Sequence, residues 1–207
     1  MMNANRVVGI LVLGVSQLLV SCAGGGSWGQ HPHCPVVPVS TTDHLGKVDL
    51  RARMHFSMNG RKADFEVIAR RAPEELVVVG IAQHGVRLFA VHQRGREFEM
   101  EEASSRRSTR LARLALDALH RAIWIPAPPD PGVGVVVEWN WENESVTESI
   151  GGGQRRREFA HPDASDSVVI LYASPSAGGG ERVEIQNPWC GYEARFIVFD
   201  TPKRGGR

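Results

Sequence analysis

The strongest constraint on the fold is a regular alternation of apolar and polar residues that begins at Lys47 and is interrupted only by short turns. The stretch 48–58 places its apolar residues on one face of a strand, Asn59-Gly60 reverses the chain, and apolar residues at 65, 67 and 69 return. Further strands are predicted near 75–82, 86–92 and 96–101, with turns at His84-Gly85 and Arg94-Gly95. Links this short require antiparallel neighbours, because a parallel crossover needs a dozen or more residues.

One helix interrupts the strands. The sequence STRLARLALDALHRAIW at 108–124 has apolar residues at helical spacing, begins with a serine or threonine cap and is followed by a proline-rich stop. Strands then follow near 133–141, 167–173, 181–187 and 191–199, and the glycine runs at 151–153 and 178–180 are predicted to be loops. We therefore expect a mainly β, α+β domain, in which an unclosed antiparallel sheet of about nine or more strands wraps around one or a few helices.

The N-terminus has the pattern of a lipoprotein export signal. An apolar stretch at 7–20 is too short to cross a bilayer core, which needs roughly 20 residues, but it suits a signal peptide. Leu19-Val20-Ser21 directly precedes Cys22, which is the order of a lipobox. We therefore predict a signal peptide at 1–21 and lipidation of Cys22; the alternative is a secretory signal cut elsewhere, with Cys22 free or disulfide-bonded.

The residues after Cys22 predict a tether followed by one domain. Glycine, proline, serine and threonine without apolar periodicity indicate a flexible tether over 22–45. The domain is expected at 46–200 and a disordered basic tail at 201–207. Lipoproteins kept at the inner membrane often carry Asp after the lipidated cysteine, and Ala23 therefore favours the outer membrane, with the domain facing the periplasm.

Charge argues against nucleic acid as a partner. The formal net charge is +1, and removal of Arg6 with the signal peptide leaves the chain neutral. The basic residues at 106–113 and 155–157 are expected to be solvated faces or loops.

The cysteines and histidines give little evidence of chemistry. Cys34 and Cys190 form a possible disulfide in an oxidising compartment. The HPHC stretch at 31–34 offers metal-ligand types, but no partner pair follows it, so no metal site is expected.

Hydrolase and phosphate-binding motifs are absent from the sequence, and His120 is expected at the surface. Asp117 lies one helical turn before His120 and could orient its imidazole, but no nucleophile accompanies them. We expect no catalytic residues, no cofactor and no enzymatic activity.

Three pieces of sequence carry a resemblance: GVRLFAV at 85–91, the helix ending in Ile123-Trp124, and NPWCGYEARF at 187–196. With the lipobox and tether, residues 45–199 resemble a bacterial outer-membrane lipoprotein family of unknown function related to LolB. The resemblance implies the LolA/LolB fold, an unclosed half-barrel whose helices plug an apolar cavity able to hold acyl chains. Some members of this family lie in gene clusters for aryl polyene pigments, so the resemblance implies a polyene lipid as one candidate cargo.

One departure from LolB concerns delivery to the membrane. LolB carries a protruding apolar loop between its third and fourth strands, whereas the corresponding link here is the polar turn Gln83-His84-Gly85. Ligand holding is unaffected by this difference. The predicted cavity wall on the concave face comprises Met54, Phe56, Phe65, Val67, Val77, Val79, Leu88, Ala90, Phe98 and, from the helix, Leu119.

These observations predict a monomeric, lipid-anchored module that binds a hydrophobic ligand or lipidated protein cargo and touches the membrane through Cys22. The alternative is a non-catalytic assembly partner of an envelope complex, with a filled core. An apolar cavity between sheet and helix distinguishes the two hypotheses.

Overall fold

A computed structural model of the chain describes residues 34, 40–101, 106–127, 132–173 and 180–200. They form one sheet of eleven antiparallel strands and one α-helix. The strands are β1 (Asp49–Met58), β2 (Arg61–Arg71), β3 (Leu76–Ala82), β4 (Arg87–Arg94), β5 (Glu97–Glu101), β6 (Val136–Trp141), β7 (Glu144–Gly151), β8 (Gln154–Ala160), β9 (Ser167–Ala173), β10 (Glu181–Asn187) and β11 (Tyr192–Asp200). The helix α1 spans Arg106–Leu119 and continues as a π-helical turn over His120–Trp124.

The strand order follows the chain except at one junction. Strands β1 to β5 form one meander and β6 to β11 form another, and the pairing of β1 with β11 joins the two. This arrangement leaves β5 and β6 at the edges of the described sheet, and α1 connects these two edges. The prediction of a mainly β fold with an unclosed antiparallel sheet and one helix is confirmed.

Two strands were missing from the sequence prediction. The hairpin β7–β8 occupies 144–160, and it turns at Gly152-Gly153, where both glycines have positive φ. Its inner positions alternate between apolar and charged residues, as in Glu148 opposite Arg157. Because charged residues at inner positions break the apolar alternation, the periodicity of the sequence does not indicate these strands.

The helix packs on the sheet through small and aliphatic side chains. Ala112, Ala115, Ala118 and Leu119 have at most 1% of their surface exposed. After Leu119 the backbone widens into the π-helical turn, where the Ile125 N–H donates to the His120 carbonyl at 2.8 Å. Pro126 follows at once and cannot donate a further backbone bond, which ends the helix.

We call the face of the sheet that contacts α1 and the π-helical turn the helix-facing side. In the β1–β4 half this side is apolar and closely packed, with Leu50, Met54 and Phe65 at 1% exposure or less. The ring centroid of Phe65 lies 5.8 Å from that of Phe56 and 5.8 Å from that of Phe89. Together with buried apolar residues of the β6–β11 half, such as Ile170 and Phe196, this layer forms the hydrophobic core of the domain.

The two edges of the sheet approach one another at one end. Arg96, in the β4–β5 turn, forms an ion pair with Glu142, in the β6–β7 turn. The segment 40–45 crosses the same place, because the Thr42 N–H donates to the Gly95 carbonyl at 3.1 Å and the His44 ring lies 5.2 Å from that of Trp141. The sheet therefore curls around the helix without hydrogen bonds between its edge strands in the described pairing.

The predicted signal peptide at 1–21, lipidated Cys22, most of the tether and the tail at 201–207 lie outside the described residues. Within the part of the chain that the structure describes, no helix combines the length and apolar character needed to cross a membrane.

Candidate functional site

On the helix-facing side of the β6–β11 half, buried charged and polar side chains lie among apolar ones such as Phe159, Ile170 and Phe196. Asp117, on α1, is buried, and its Oδ1 accepts from Arg121 Nε at 3.0 Å. Its Oδ2 accepts from Asn187 Nδ2 at 2.9 Å and from the Tyr192 hydroxyl at 2.7 Å. Burial, and then the charge of Asp117, raises the pKa of Tyr192. These bonds fasten the helix to β10 and β11.

Arg121 continues this network to the opposite strand. Its guanidinium is fully buried and donates two hydrogen bonds to Glu144, at 2.6 and 2.8 Å. The same group lies 4.8 Å from the ring centroid of Phe159 and 5.2 Å from that of Trp189. Burial by itself would lower the pKa of Arg121, but the carboxylates of Asp117 and Glu144 raise it overall. Arg121 therefore stays charged, and its ion pairs connect the π-helical turn to Asp117 on α1 and to Glu144 on β7.

Arg157, on β8, occupies the centre of this half and has no exposed surface. Its Nε donates to Glu148 at 2.7 Å, and its Nη1 donates to the carbonyls of Arg121 at 3.1 Å and Ile125 at 3.0 Å. Its Nη2 has no acceptor among the described residues. The guanidinium lies 5.6 Å from the Trp139 ring centroid.

His120 and Gln93 form a second buried polar pair. The His120 Nε2 and the Gln93 Oε1 are 2.8 Å apart, and Gln93 Nε2 donates to the carbonyls of Ser40 and Gly95. Burial, with the nearby charges of His44 and Arg121, lowers the pKa of His120 to about 3. His120 is therefore neutral near pH 7, and through Gln93 it links the π-helical turn to β4 and to the segment 40–45.

The edge strand β6 presents a partly exposed apolar surface on the helix-facing side. We call it the β6 wall and define it as Val137, Trp139, Trp141 and Ile150, all half-buried. The indole nitrogens of Trp139 and Trp141 are shielded from solvent but have no hydrogen-bond acceptor within the described ranges. Just before the wall, Val133, Val135 and Val136 are exposed.

The structure divides the predicted cavity residues between the two faces. Met54, Phe56, Phe65, Val67 and Leu119 lie on the helix-facing side with at most 3% exposure, packed in the core. Phe98, paired with Gln93, shares this side and is half-buried beneath Arg113, whose guanidinium is 5.2 Å from its ring centroid. A ligand contact at any of these positions stays a prediction.

Four predicted wall residues lie on the other face. Gln93, on β4, contacts His120 and therefore faces the helix. Val91 lies two residues before Gln93 and pairs with Val78, so both share that face, whereas Ala90 and its partner Val79 lie on the opposite face. Val77, Val79, Leu88 and Ala90 are therefore turned away from α1, and placing them on the concave face was wrong. β3 reads LVVVGIA, and a continuous apolar run does not show which alternate residues point inward.

Three further expectations need correction. His120 is buried, not at the surface, and Arg157 is fully buried, not part of a solvated basic run. Asp117 bonds Arg121, Asn187 and Tyr192 and is not hydrogen-bonded to the imidazole of His120 in the described contacts. The available signal was the Gly152-Gly153 turn between Val146 and Phe159, which indicates a hairpin and so places Arg157 on an inner face.

A disulfide and a polar cleft lie at the β10–β11 turn. Cys34 is bonded to Cys190, with Cα atoms 4.7 Å apart. An open cleft of about 600 Å³ beside this turn is lined by polar residues that include Asp166, Gln186 and Glu193. Among the described residues, no group of three or more histidine, cysteine or acidic side chains is arranged to hold a metal ion.

Comparison with curated protein sequences finds no match. Residues 49–196, from the start of β1 nearly to the end of β11, match the model of a family described as proteins of unknown function, DUF3261. Because the match covers more than half of the chain, the protein belongs to the DUF3261 family.

Proposed function

We propose that this protein is an outer-membrane lipoprotein, related to LolB and facing the periplasm, that binds a hydrophobic ligand or lipidated cargo against the β6 wall. The observation that carries the proposal is that Val137, Trp139 and Trp141 form an apolar surface on the helix-facing side that remains partly exposed. Apolar walls with a few polar groups are typical of ligand sites. Trafficking of lipoproteins or of polyene lipids is the process that such binding would serve.

A contrast between the closely packed core and the β6 edge supports the proposed location of the site. Core positions of the β1–β4 half, such as Met54 and Val67, have no exposed surface. A ligand there would have to displace closely packed side chains. At the other edge, the β6 wall is accessible and lies beside buried charged groups that hold the neighbouring strands in place. We therefore propose that the ligand binds at the β6 edge.

The lipid anchor rests on the sequence alone. Leu19-Val20-Ser21-Cys22 follows the apolar stretch of an export signal, and two or three acyl chains hold a protein to a membrane far more firmly than one. Replacing Cys22 by serine should abolish labelling by a palmitate analogue and block lipoprotein-type processing. Cys34→Ser is the matched control and should keep the label. Undiminished labelling of Cys22→Ser would refute the anchor.

Native mass spectrometry of the full-length protein purified from its own envelope tests the ligand. The wild type should carry an apolar molecule, and Val137→Trp should reduce its occupancy because the larger ring fills the wall. Val136→Trp is the matched control, since Val136 is the adjacent residue, is 59% exposed and points to the other face. Absence of any apolar ligand from the wild type, even after addition of hexadecane, would contradict the proposal.

An assembly partner is the second candidate function. The edge strand β6 has free backbone groups on its outer side in the described sheet, and Val133, Val135 and Val136 beside it are exposed. Such an edge can accept a strand from another protein. If this is its role, Val136→Asp should abolish copurification of a partner, whereas Val137→Trp should change no lipid occupancy because none exists.

A further inference from the structure

The hydrogen-bond donors of Arg157 are incompletely used. A guanidinium has five N–H groups. In Arg157 one donates to Glu148 and two donate to backbone carbonyls, whereas the two on Nη2 have no acceptor among the described residues. The side chain has no exposed surface. A buried donor without an acceptor is unfavourable, so an acceptor is expected beside Nη2 in the working protein.

Trp139, next to Arg157, also has a buried hydrogen-bond donor without an acceptor. Its ring centroid lies 5.6 Å from the Arg157 guanidinium, and its Nε1 is buried without an acceptor in the described part of the chain. Trp141, on the same face of β6, repeats the pattern. An indole nitrogen and a guanidinium donate and do not accept. These unsatisfied groups therefore call for an acceptor that the described residues do not supply.

The charges around Arg157 favour an uncharged acceptor. On the helix-facing side, Arg121, Arg155 and Arg157 are matched by Asp117, Glu144 and Glu148. Glu181, 3.5 Å from Arg155, adds a further carboxylate. An anionic ligand would therefore add an uncompensated negative charge to a buried site. A carbonyl oxygen accepts hydrogen bonds without bringing a charge.

We propose that Arg157 Nη2 and Trp139 Nε1 bind the carbonyl oxygen of an acyl ester or amide whose hydrocarbon chain lies on the β6 wall. This inference rests on the proposed function and names its ligand class: an acylated molecule, distinguished from a free fatty acid and from a plain hydrocarbon. The wall binds the chain, and the two donors fix the end of the chain next to its carbonyl group.

The test compares three probes on the full-length protein, delipidated and kept soluble in amphipol. Methyl palmitate offers an ester carbonyl, palmitate offers a carboxylate, and hexadecane offers only the chain. Native mass spectrometry gives the occupancy of each probe. Infrared spectroscopy of methyl palmitate labelled with carbon-13 at the carbonyl reports whether that group accepts hydrogen bonds.

We expect the wild type to bind methyl palmitate about three- to tenfold more tightly than hexadecane, the equivalent of one hydrogen bond. Trp139→Phe removes the Nε1 donor but keeps an aromatic ring, and should abolish most of this preference and raise the frequency of the bound carbonyl. Trp189→Phe is the matched control, because the Trp189 indole already donates to the Asp166 carbonyl at 2.8 Å. It should keep the wild-type preference.

Three results would overturn the inference. Equal binding of methyl palmitate and hexadecane, or a preference unchanged in Trp139→Phe, would mean that the donors hold water only, while the proposed function stands. Tighter binding of palmitate than of its ester would refute the uncharged acceptor. Failure of all three probes to bind would remove the proposed function together with the inference.

Discussion

Asp117 accepts hydrogen bonds from Arg121, Asn187 and Tyr192, which belong to the π-helical turn, β10 and β11. A buried carboxylate with several donors is stable only while all of them are in place. Arg121 in turn donates hydrogen bonds to Glu144 on β7. Buried ion pairs and hydrogen bonds therefore connect α1 and the π-helical turn to β7, β10 and β11.

Replacing Asp117 by asparagine should lower the free energy of unfolding by about 1–3 kcal/mol, because the amide keeps the shape but weakens charge-assisted bonds to Arg121 and Tyr192. Urea unfolding at pH 7 measures the change. Asp163→Asn, at an exposed position in the β8–β9 loop, is the control and should stay within about 0.5 kcal/mol of the wild type. An equally small effect at Asp117 would contradict the network.

His120 gives a pH dependence of stability with a definite sign. Burial lowers its folded-state pKa to about 3, whereas an unfolded histidine titrates near 6.5. Between these values the unfolded state binds the extra proton, so the contribution of His120 to stability is present above about pH 6.5 and declines as the pH falls toward 3, by up to about 1.4 kcal/mol per pH unit.

Urea unfolding between pH 7 and 4 tests this expectation. His120→Gln should flatten the pH dependence, because glutamine does not titrate. His84→Gln, in the exposed β3–β4 turn, should retain the slope of the wild type. If His120→Gln and the wild type lose stability in parallel, another group is responsible.

The elements of the fold differ in how they are stabilised. α1 presents Ala112, Ala115 and Ala118 to the sheet, and these small side chains allow a close approach. The hairpin β7–β8 instead contributes Glu148 and Arg157 to the inner face. The Arg157 guanidinium donates to the carbonyl of Arg121, in the π-helical turn, and to that of Ile125, directly after it. Apolar packing therefore stabilises α1 on the sheet, whereas an ion pair and hydrogen bonds to backbone carbonyls stabilise the hairpin β7–β8 beneath the π-helical turn.

Truncation of Leu119 tests the packing of α1. Leu119 is 0% exposed, and Leu119→Ala should lower the free energy of unfolding by about 2–5 kcal/mol through lost contacts and a residual cavity. Arg107→Ala, at an exposed helical position, should change it by less than about 0.5 kcal/mol. A Leu119→Ala variant as stable as Arg107→Ala would mean that the helix is not packed against the sheet at this residue.

The whole molecule depends on contacts between distant parts of the chain. β1 pairs with β11, Arg96 meets Glu142 across the open edges, and Cys34 is bonded to Cys190. The disulfide links residues 156 positions apart. A cross-link over such a long loop stabilises the folded protein mainly by restricting the unfolded chain.

Removal of the disulfide should therefore lower stability without changing the strand order. The double variant Cys34→Ala/Cys190→Ala should lose about 2–4 kcal/mol. Thermal unfolding of the wild type with and without a reducing agent is the parallel measurement, and the double variant should not respond to the reducing agent. An unchanged melting temperature of the reduced wild type would contradict the stabilising role.

Much of the architecture follows from local sequence. Asn59-Gly60 permits the positive φ angles of a tight hairpin turn, and the short links after β1, β2, β3 and β4 leave only antiparallel pairing. The apolar period of the helix is equally local. Cys34 and Cys190 were a possible pair, but the distance between them comes from the fold.

The remainder was decided by tertiary structure. Alternation shows which residues of a strand share a face, but in the apolar run of β3 only pairing with β4 decides that Val78, not Val79, points toward the helix. The position of Arg157 likewise depends on Glu148 across the hairpin and on carbonyls more than thirty residues earlier. A charged residue is buried only where distant groups compensate it, and the sequence by itself does not reveal those partners.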